Sequence, residues 1–163
     1  MCAEPLRRVR PTVVTACREK DLDEIQAILK VSPEAAAWST TGLAQSLKSN
    51  PSHFLVGWQG EEIAGFIAGR RMGDEGEILN LAVRPQSRGQ GVGKALAKAL
   101  LEVFAGEKVL QVFLEVRESN EAAAAFYKRL GFRQVGRRGS YYREPEEAAV
   151  VLALTMESHS VRG

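Results

Sequence analysis

Residues 77–106 read EILNLAVRPQSRGQGVGKALAKALLEVFAG, and this stretch decides the fold. Its first seven residues are mostly apolar and predict a β-strand. The strand must end at Arg84-Pro85, because proline has no N–H for a ladder and restricts the residue before it. After a glycine-rich loop, apolar residues return at helical spacing from Gly91 to Gly106. The stretch therefore predicts a strand, a loop and a helix in that order.

The flanking segments extend this unit into a mixed α/β sheet. Upstream, two strand-like runs at 53–59 and 62–72 are separated by Gly60-Glu61, which is the spacing of a tight hairpin. Period-2 and helical patterns predict the other elements. The remaining predicted strands are 12–16, 109–116, 132–138 and 149–156, and the remaining predicted helices follow Asp21, follow Ser39 to Thr41, and cover 120–130.

Composition predicts one soluble domain. The chain has 163 residues, of which 45% are hydrophobic and 26% charged, enough for one core. A net charge of +2 gives no global field that would attract nucleic acid or a membrane. No apolar leader or run of roughly eighteen apolar residues is present. We expect a cytoplasmic monomer or weak homodimer spanning 1–163, with a flexible start at 1–11 and a tail at 157–163.

Neither cysteine nor histidine predicts a metal or disulfide framework. The two cysteines, Cys2 and Cys17, are too few for either a disulfide scaffold or a zinc site. His53 and His159 have no metal-ligating partner at a useful spacing. We therefore expect no metal.

The loop RGQGVGK, residues 88–94, carries the clearest chemical signal. Small residues before a helix expose consecutive backbone N–H groups at the positive end of the helix dipole, which suits a diphosphate. A nucleotide triphosphatase loop is disfavoured because Lys94 is followed by Ala95 instead of Ser or Thr. A dinucleotide fold remains a minor alternative, since the loop follows an antiparallel hairpin. An ordinary turn is disfavoured by three glycines in five residues.

The arrangement Arg88-x-x-Gly91-x-Gly93 after LNLAVRP resembles the acetyl-CoA loop of the GNAT N-acetyltransferases. The resemblance implies a GNAT fold, an α/β architecture with a mostly antiparallel sheet of about six to seven strands, and acetyl-CoA as co-substrate. In that family the strand backbone pairs with the pantetheine arm and provides an oxyanion donor, while loop amides hold the diphosphate. The cofactor-binding residues so implied are Leu81, Ala82, Val83, Arg88, Gly89, Gln90, Gly91, Val92, Gly93, Lys94 and Asn120.

The segment LEVRESNEAAAAFYKRLGF, residues 114–132, resembles the RimI-type ribosomal-protein alanine N-acetyltransferases. Glu115, Asn120 and Tyr127 stand at the matching positions. Glu115 ends an apolar strand, where desolvation would make it a better proton acceptor, directly or through one water. The alternative is a solvated strand-end carboxylate.

Tyr127 is the candidate acid. A phenol of pKa roughly 10 can protonate a departing thiolate of pKa roughly 8.5. It lies seven residues after Asn120, hence on the same helix face. The alternative is a core position with the phenol at the surface.

The acceptor half is less informative. RRGSYY, residues 137–142, resembles the arginine and paired-tyrosine segment of RimI-type enzymes, in a loop between the last strands and one residue longer. Ala148 stands where those sequences usually carry Asp. Trp38-Ser39 resembles the start of their second helix, or Trp38 is a core anchor. We expect an alanine-starting ribosomal-protein N-terminus as acceptor; alternatives are a small amine or a non-catalytic CoA-binding module.

Overall fold

The computed structural model describes residues 10–35, 40–48 and 52–157. In this part of the chain, seven strands form one sheet, flanked by α-helices. The elements are β1 Val13–Ala16, α1 Leu22–Lys30, α2 Thr40–Lys48, β2 Ser52–Gln59, β3 Glu62–Met72, β4 Glu75–Val83, α3 Val92–Gly106, β5 Gln111–Arg117, α4 Glu121–Arg129, β6 Arg133–Arg143 and β7 Glu146–Thr155. None of the described helices is long and apolar enough to span a membrane.

The sheet has the strand order β1-β2-β3-β4-β5-β7-β6. All neighbours are antiparallel except β4 and β5, which are parallel and connected through α3. The hairpin between β2 and β3 turns at Gly60-Glu61, where Gly60 has a φ of 63° that glycine adopts without strain. The predicted mixed and mostly antiparallel α/β fold is confirmed.

Two hydrophobic cores cover the two faces of the sheet. On one face, α3 and α4 pack through buried residues such as Leu96, Leu100 and Tyr127 against β4, β5 and β7. On the other face, α1 and α2 pack through Ile25 and Leu43 against β2, β3 and β4. The helical spacing of these apolar residues explains why each helix buries one side.

The two parallel strands separate after a short contact. Their pairing runs from Glu75↔Gln111 to Glu77↔Phe113. Immediately afterwards, the β3–β4 register moves from Gly69↔Ile78 to Ala68↔Asn80, so Leu79 is an extra residue in β4. A bulge of this kind bends its strand. The backbone edges of β4 and β5 that follow therefore diverge and leave an opening in the sheet.

The placement of residues 137–142 in a loop is wrong. They lie within β6, and the chain reverses at Glu144-Pro145 instead. Gly139 and Ser140 are typical turn residues, but here they form a bulge, in which Ser140 has a φ of 50°. Arg138 pairs with Ala149 and Tyr142 with Glu147, so three residues of β6 lie opposite one of β7.

Candidate active site

The glycine-rich loop presents backbone amides at the start of α3. Gly89 and Gly91 have φ values of 74° and 83°, and Gly91 is the N-cap residue. The first helical bond runs from the Ala95 N–H to the Gly91 carbonyl at 3.0 Å, so the amides of residues 92–94 have no carbonyl one turn behind them. A Cβ on Gly89 or Gly91 would meet no atom within 4 Å. The loop therefore has an open side suited to an anion.

Neighbouring side chains hold this loop in place. The Gln90 Oε1 accepts a hydrogen bond from the Gln59 Nε2 at 3.0 Å, and the Gln90 Nε2 donates to the Gln86 carbonyl at 3.1 Å. Val92 is buried in the core. A Cβ on Gly93 would lie 3.4 Å from the Phe126 ring, so the first turn of α3 packs closely against α4.

The Arg88 side chain is engaged by the protein itself. Its Nε donates to the Val83 carbonyl at 3.3 Å, and its Nη2 forms an ion pair with Glu34. The sequence offers no signal for this partner, because 54 residues separate the two. The side chain thus connects the end of β4 to the segment after α1.

Asn120 caps α4. Its Oδ1 accepts from the Ala123 N–H at 3.1 Å, as asparagine commonly does at the first position before a helix. This cap could have been recognised from the sequence. The Nδ2 group and the second lone pair of Oδ1 could still contact a cofactor, and the cofactor role remains a prediction.

Tyr127 lies in the hydrophobic core under α3 and α4. Its ring makes edge-to-face contacts with Phe126 and Phe132, with centroids 5.0 and 5.4 Å away. Only 5% of the residue is exposed, and this burial raises the pKa of the phenol well above its usual value. Burial therefore favours the neutral hydroxyl, which is the form that carries a proton to donate.

Glu115 faces the other side of the sheet. Leu114 and Val116 pack into the cluster under α3 and α4, and side chains alternate along a strand. The Glu115 side chain is 17% exposed, and its Oε1 lies 2.8 Å from the Arg138 Nε. The Tyr141 hydroxyl donates to the same carboxylate, and this bond raises the pKa of Tyr141 to about 12. The expected desolvated carboxylate is mostly buried, but it has a cationic partner.

The candidate acid Tyr127 and the candidate base Glu115 thus lie on opposite faces of the sheet. Residues 81–83 form the edge of β4 beyond its pairing with β5. Leu81 and Val83 pack towards Tyr127, whereas Ala82 packs towards α1 and α2. The edge of β4 is therefore bordered by the cluster that contains Tyr127 on one face and by the cluster under α1 and α2 on the other.

Metal ligation has no candidate in the described ranges. The His53 Nε2 contacts the Glu107 carboxylate. No group of three or more His, Cys, Asp or Glu side chains is placed to hold a metal ion in residues 10–35, 40–48 and 52–157. The interpretation of Trp38-Ser39 concerns residues outside these ranges.

A diverging pair of parallel strands, an amide-rich helix start and the flanking proton-transfer candidates define the class of the protein as an N-acetyltransferase. Comparison with known proteins agrees: the model of the Acetyltransferase (GNAT) family matches residues 20–132. The chain belongs to the GNAT acetyltransferase family.

Its relatives include RimI-type enzymes. The [ribosomal protein bS18]-alanine N-acetyltransferase of Escherichia coli K12 is 34% identical over 122 residues, covering 74% of this chain and 82% of that protein. The N-alpha-acetyltransferase RimI of Mycobacterium tuberculosis is 33% identical over 124 residues, covering 74% and 75%. The crystal structure of the Escherichia coli S18-alanine enzyme has a TM-score of 0.79 at 28% identity, covering 94% of this chain and 100% of that one.

Proposed function

We propose that this protein transfers the acetyl group of acetyl-CoA to the N-terminal α-amine of a protein. The observation that carries the proposal is the opening between β4 and β5, which has an anion-binding loop at one end and candidate acid and base on its two faces. The RimI-type relatives support a protein N-terminus beginning with alanine as acceptor.

The acetyl donor, acetyl-CoA, would lie along the open edge of β4. A pantetheine arm has amide groups that can pair with the backbone of residues 81–83 like an added strand. Its diphosphate would then meet the amides of residues 89–94 at the start of α3. The bulge at Leu79 supports this arrangement, because it bends β4 away from β5 and leaves open the edge of β4 that the pantetheine arm would use.

The proposed reaction balances as a direct transfer. Glu115 takes a proton from the acceptor ammonium, and the neutral nitrogen attacks the thioester carbon. A backbone N–H of residues 81–83 stabilises the oxyanion of the tetrahedral intermediate. The C–S bond then breaks, and the thiolate of CoA receives the proton of the Tyr127 hydroxyl. The nitrogen gives up its second proton as the amide forms, this proton restores the Tyr127 phenol, and Glu115 releases its proton to solvent.

An acetylation assay tests the acceptor. We expect acetyl transfer to a peptide that begins with alanine, with mass spectrometry placing the group on the α-amine. An α-amine of pKa roughly 8 has roughly 200-fold more neutral form at pH 7 than a lysine of pKa roughly 10.4. The matched control is the same peptide with a blocked N-terminus and one internal lysine. Acetylation of only a polyamine, amino acid or aminoglycoside would instead support the small-amine alternative.

The loop is tested by Gly91→Val, which places a side chain on its open side. We expect the dissociation constant for acetyl-CoA in calorimetry to rise at least about tenfold, which corresponds to the loss of one charge-assisted hydrogen bond. Gly73→Val is the control, since Gly73 has a φ of 62° and equally open surroundings in the β3–β4 turn. Both variants should lose at least about 1–2 kcal/mol of stability from left-handed strain. Equal affinity losses would contradict the loop assignment.

A further inference from the structure

The Glu115 carboxylate is already occupied by a cation of the protein. The Arg138 guanidinium lies with its Nε 2.8 Å from the Glu115 Oε1. The two side chains differ in exposure, since Glu115 is 17% exposed and Arg138 is 61% exposed. The carboxylate is therefore held in the protein, whereas the guanidinium lies at the surface and can move away without opening the core.

Arg138 lies on the Glu115 face of the sheet, directly before the bulge in β6. Residues 139–141 lie opposite Ala148 alone, so β6 bends at this point along β7. Arg138 stands at one side of the bulge and Tyr141 lies within it, and both contact Glu115. Arg138 also lies over the Tyr141 ring, with its Cζ 5.7 Å from the ring centroid.

The other arginine in this region, Arg117, has partners other than Glu115. Charged and titratable groups beside the Glu115 carboxylate include Arg138, Tyr141 and Tyr142, and Arg117 and Glu147 lie next to Tyr142. Arg117 forms an ion pair with Glu147 at 3.3 Å, donates to the Glu144 and Pro145 carbonyls, and lies 4.3 Å over the Tyr142 ring. Arg138 is consequently the cation placed to compensate Glu115.

A guanidinium and a primary ammonium present the same feature to a carboxylate, namely positively charged N–H donors. They differ in one respect that matters here. Arginine does not release its proton in proteins, so it can pair with the carboxylate without protonating it. An ammonium of pKa roughly 8 can transfer its proton once it reaches the same oxygen.

We propose that Arg138 occupies the position of the acceptor ammonium in the free enzyme and is displaced from Glu115 when the amine binds. Arg138 is thus a positioning residue that holds the carboxylate in place and competes with the acceptor for it. This inference rests on the proposed function, in which Glu115 accepts the proton of the amine.

The test is steady-state kinetics of Arg138→Gln with an alanine-starting peptide and acetyl-CoA. Removing the competitor should lower KM for the peptide by about two- to fivefold, the range that a partly exposed ion pair supports. The KM for acetyl-CoA should stay unchanged, and kcat should change by less than about twofold. Arg138→Lys retains a cation and should restore KM towards the wild-type value.

Arg70→Gln is the matched control because it removes the same charge from a partly exposed ion pair, here with Glu77 at 2.8 Å on β3 and β4. Its peptide KM should equal that of the wild type. A raised or unchanged peptide KM in Arg138→Gln, or an equal decrease in Arg70→Gln, would overturn the role of Arg138 alone. A wild-type enzyme that acetylates no amine would overturn the proposed function and this inference together.

Discussion

Tyr127→Phe should lower kcat by roughly ten- to ten-thousandfold, which is the range expected for the loss of a general acid. The thiolate of CoA would then leave without a proton donor within the protein. The dissociation constant for acetyl-CoA should change by less than about twofold, because the proposed binding contacts come from the backbone of β4 and the loop before α3. Single-turnover kinetics with calorimetry of acetyl-CoA measures both quantities.

The substitution leaves the packing around the ring intact. Phe126 and Phe132 contact the Tyr127 ring edge-to-face, and these contacts do not involve the hydroxyl. A variant with unchanged kcat would remove Tyr127 from the chemistry and leave it a core residue. A large loss of stability at pH 7, measured by denaturant unfolding, would attribute the rate loss to packing.

The alkaline pH dependence of stability provides an independent control. Burial raises the pKa of Tyr127 above that of the unfolded chain, which is roughly 10. The neutral hydroxyl therefore contributes stability below pH 10, and this contribution is lost as the pH rises above that value. Tyr127→Phe should lose less stability than the wild type between about pH 10 and 12. Equal losses would indicate that the hydroxyl reaches solvent.

Local patterns were sufficient to predict most of the fold. The hairpin at Gly60-Glu61 and the helix ending at Gly106 follow from turn chemistry and apolar spacing, which act between near neighbours in the chain. The bulge at Leu79 was not predicted, because ILNLAV is a regular apolar strand by pattern. Its extra residue becomes evident only from pairing with β3. The loop that the RimI-type resemblance implied for residues 137–142 is a bulge instead, and a bulge and a loop use the same residue types.

The candidate site likewise has features that the sequence could predict and features that it could not. Backbone positions in the loop could be predicted because glycines before a helix expose amides whatever surrounds them. The side-chain partners could not be predicted. Arg88 pairs with Glu34 across 54 residues, and Arg138 reaches Glu115 from β6 across the intervening β7. Asn120 is intermediate, because its cap is a local contact that was available from the sequence.

Glu115→Gln should lower kcat/KM for the peptide by roughly a hundred- to ten-thousandfold at pH 7, since glutamine has a similar shape but cannot accept the proton. The variant can act only on amine that is already neutral, and that fraction rises with pH around an α-amine pKa of roughly 8. The deficit should therefore shrink between about pH 7 and 9.5 in a pH profile of kcat/KM.

A charge-matched control separates this chemistry from general electrostatics. Glu77→Gln removes a carboxylate that pairs with Arg70 on β3 and should leave the profile unchanged. Glu115→Gln leaves a side-chain carbonyl that can still accept from Arg138 and Tyr141, so its local structure should persist. A wild-type rate at pH 7 would exclude Glu115 as the base. A deficit that stays constant with pH would instead assign Glu115 to holding β6 in place, because lost structure does not recover as the amine deprotonates.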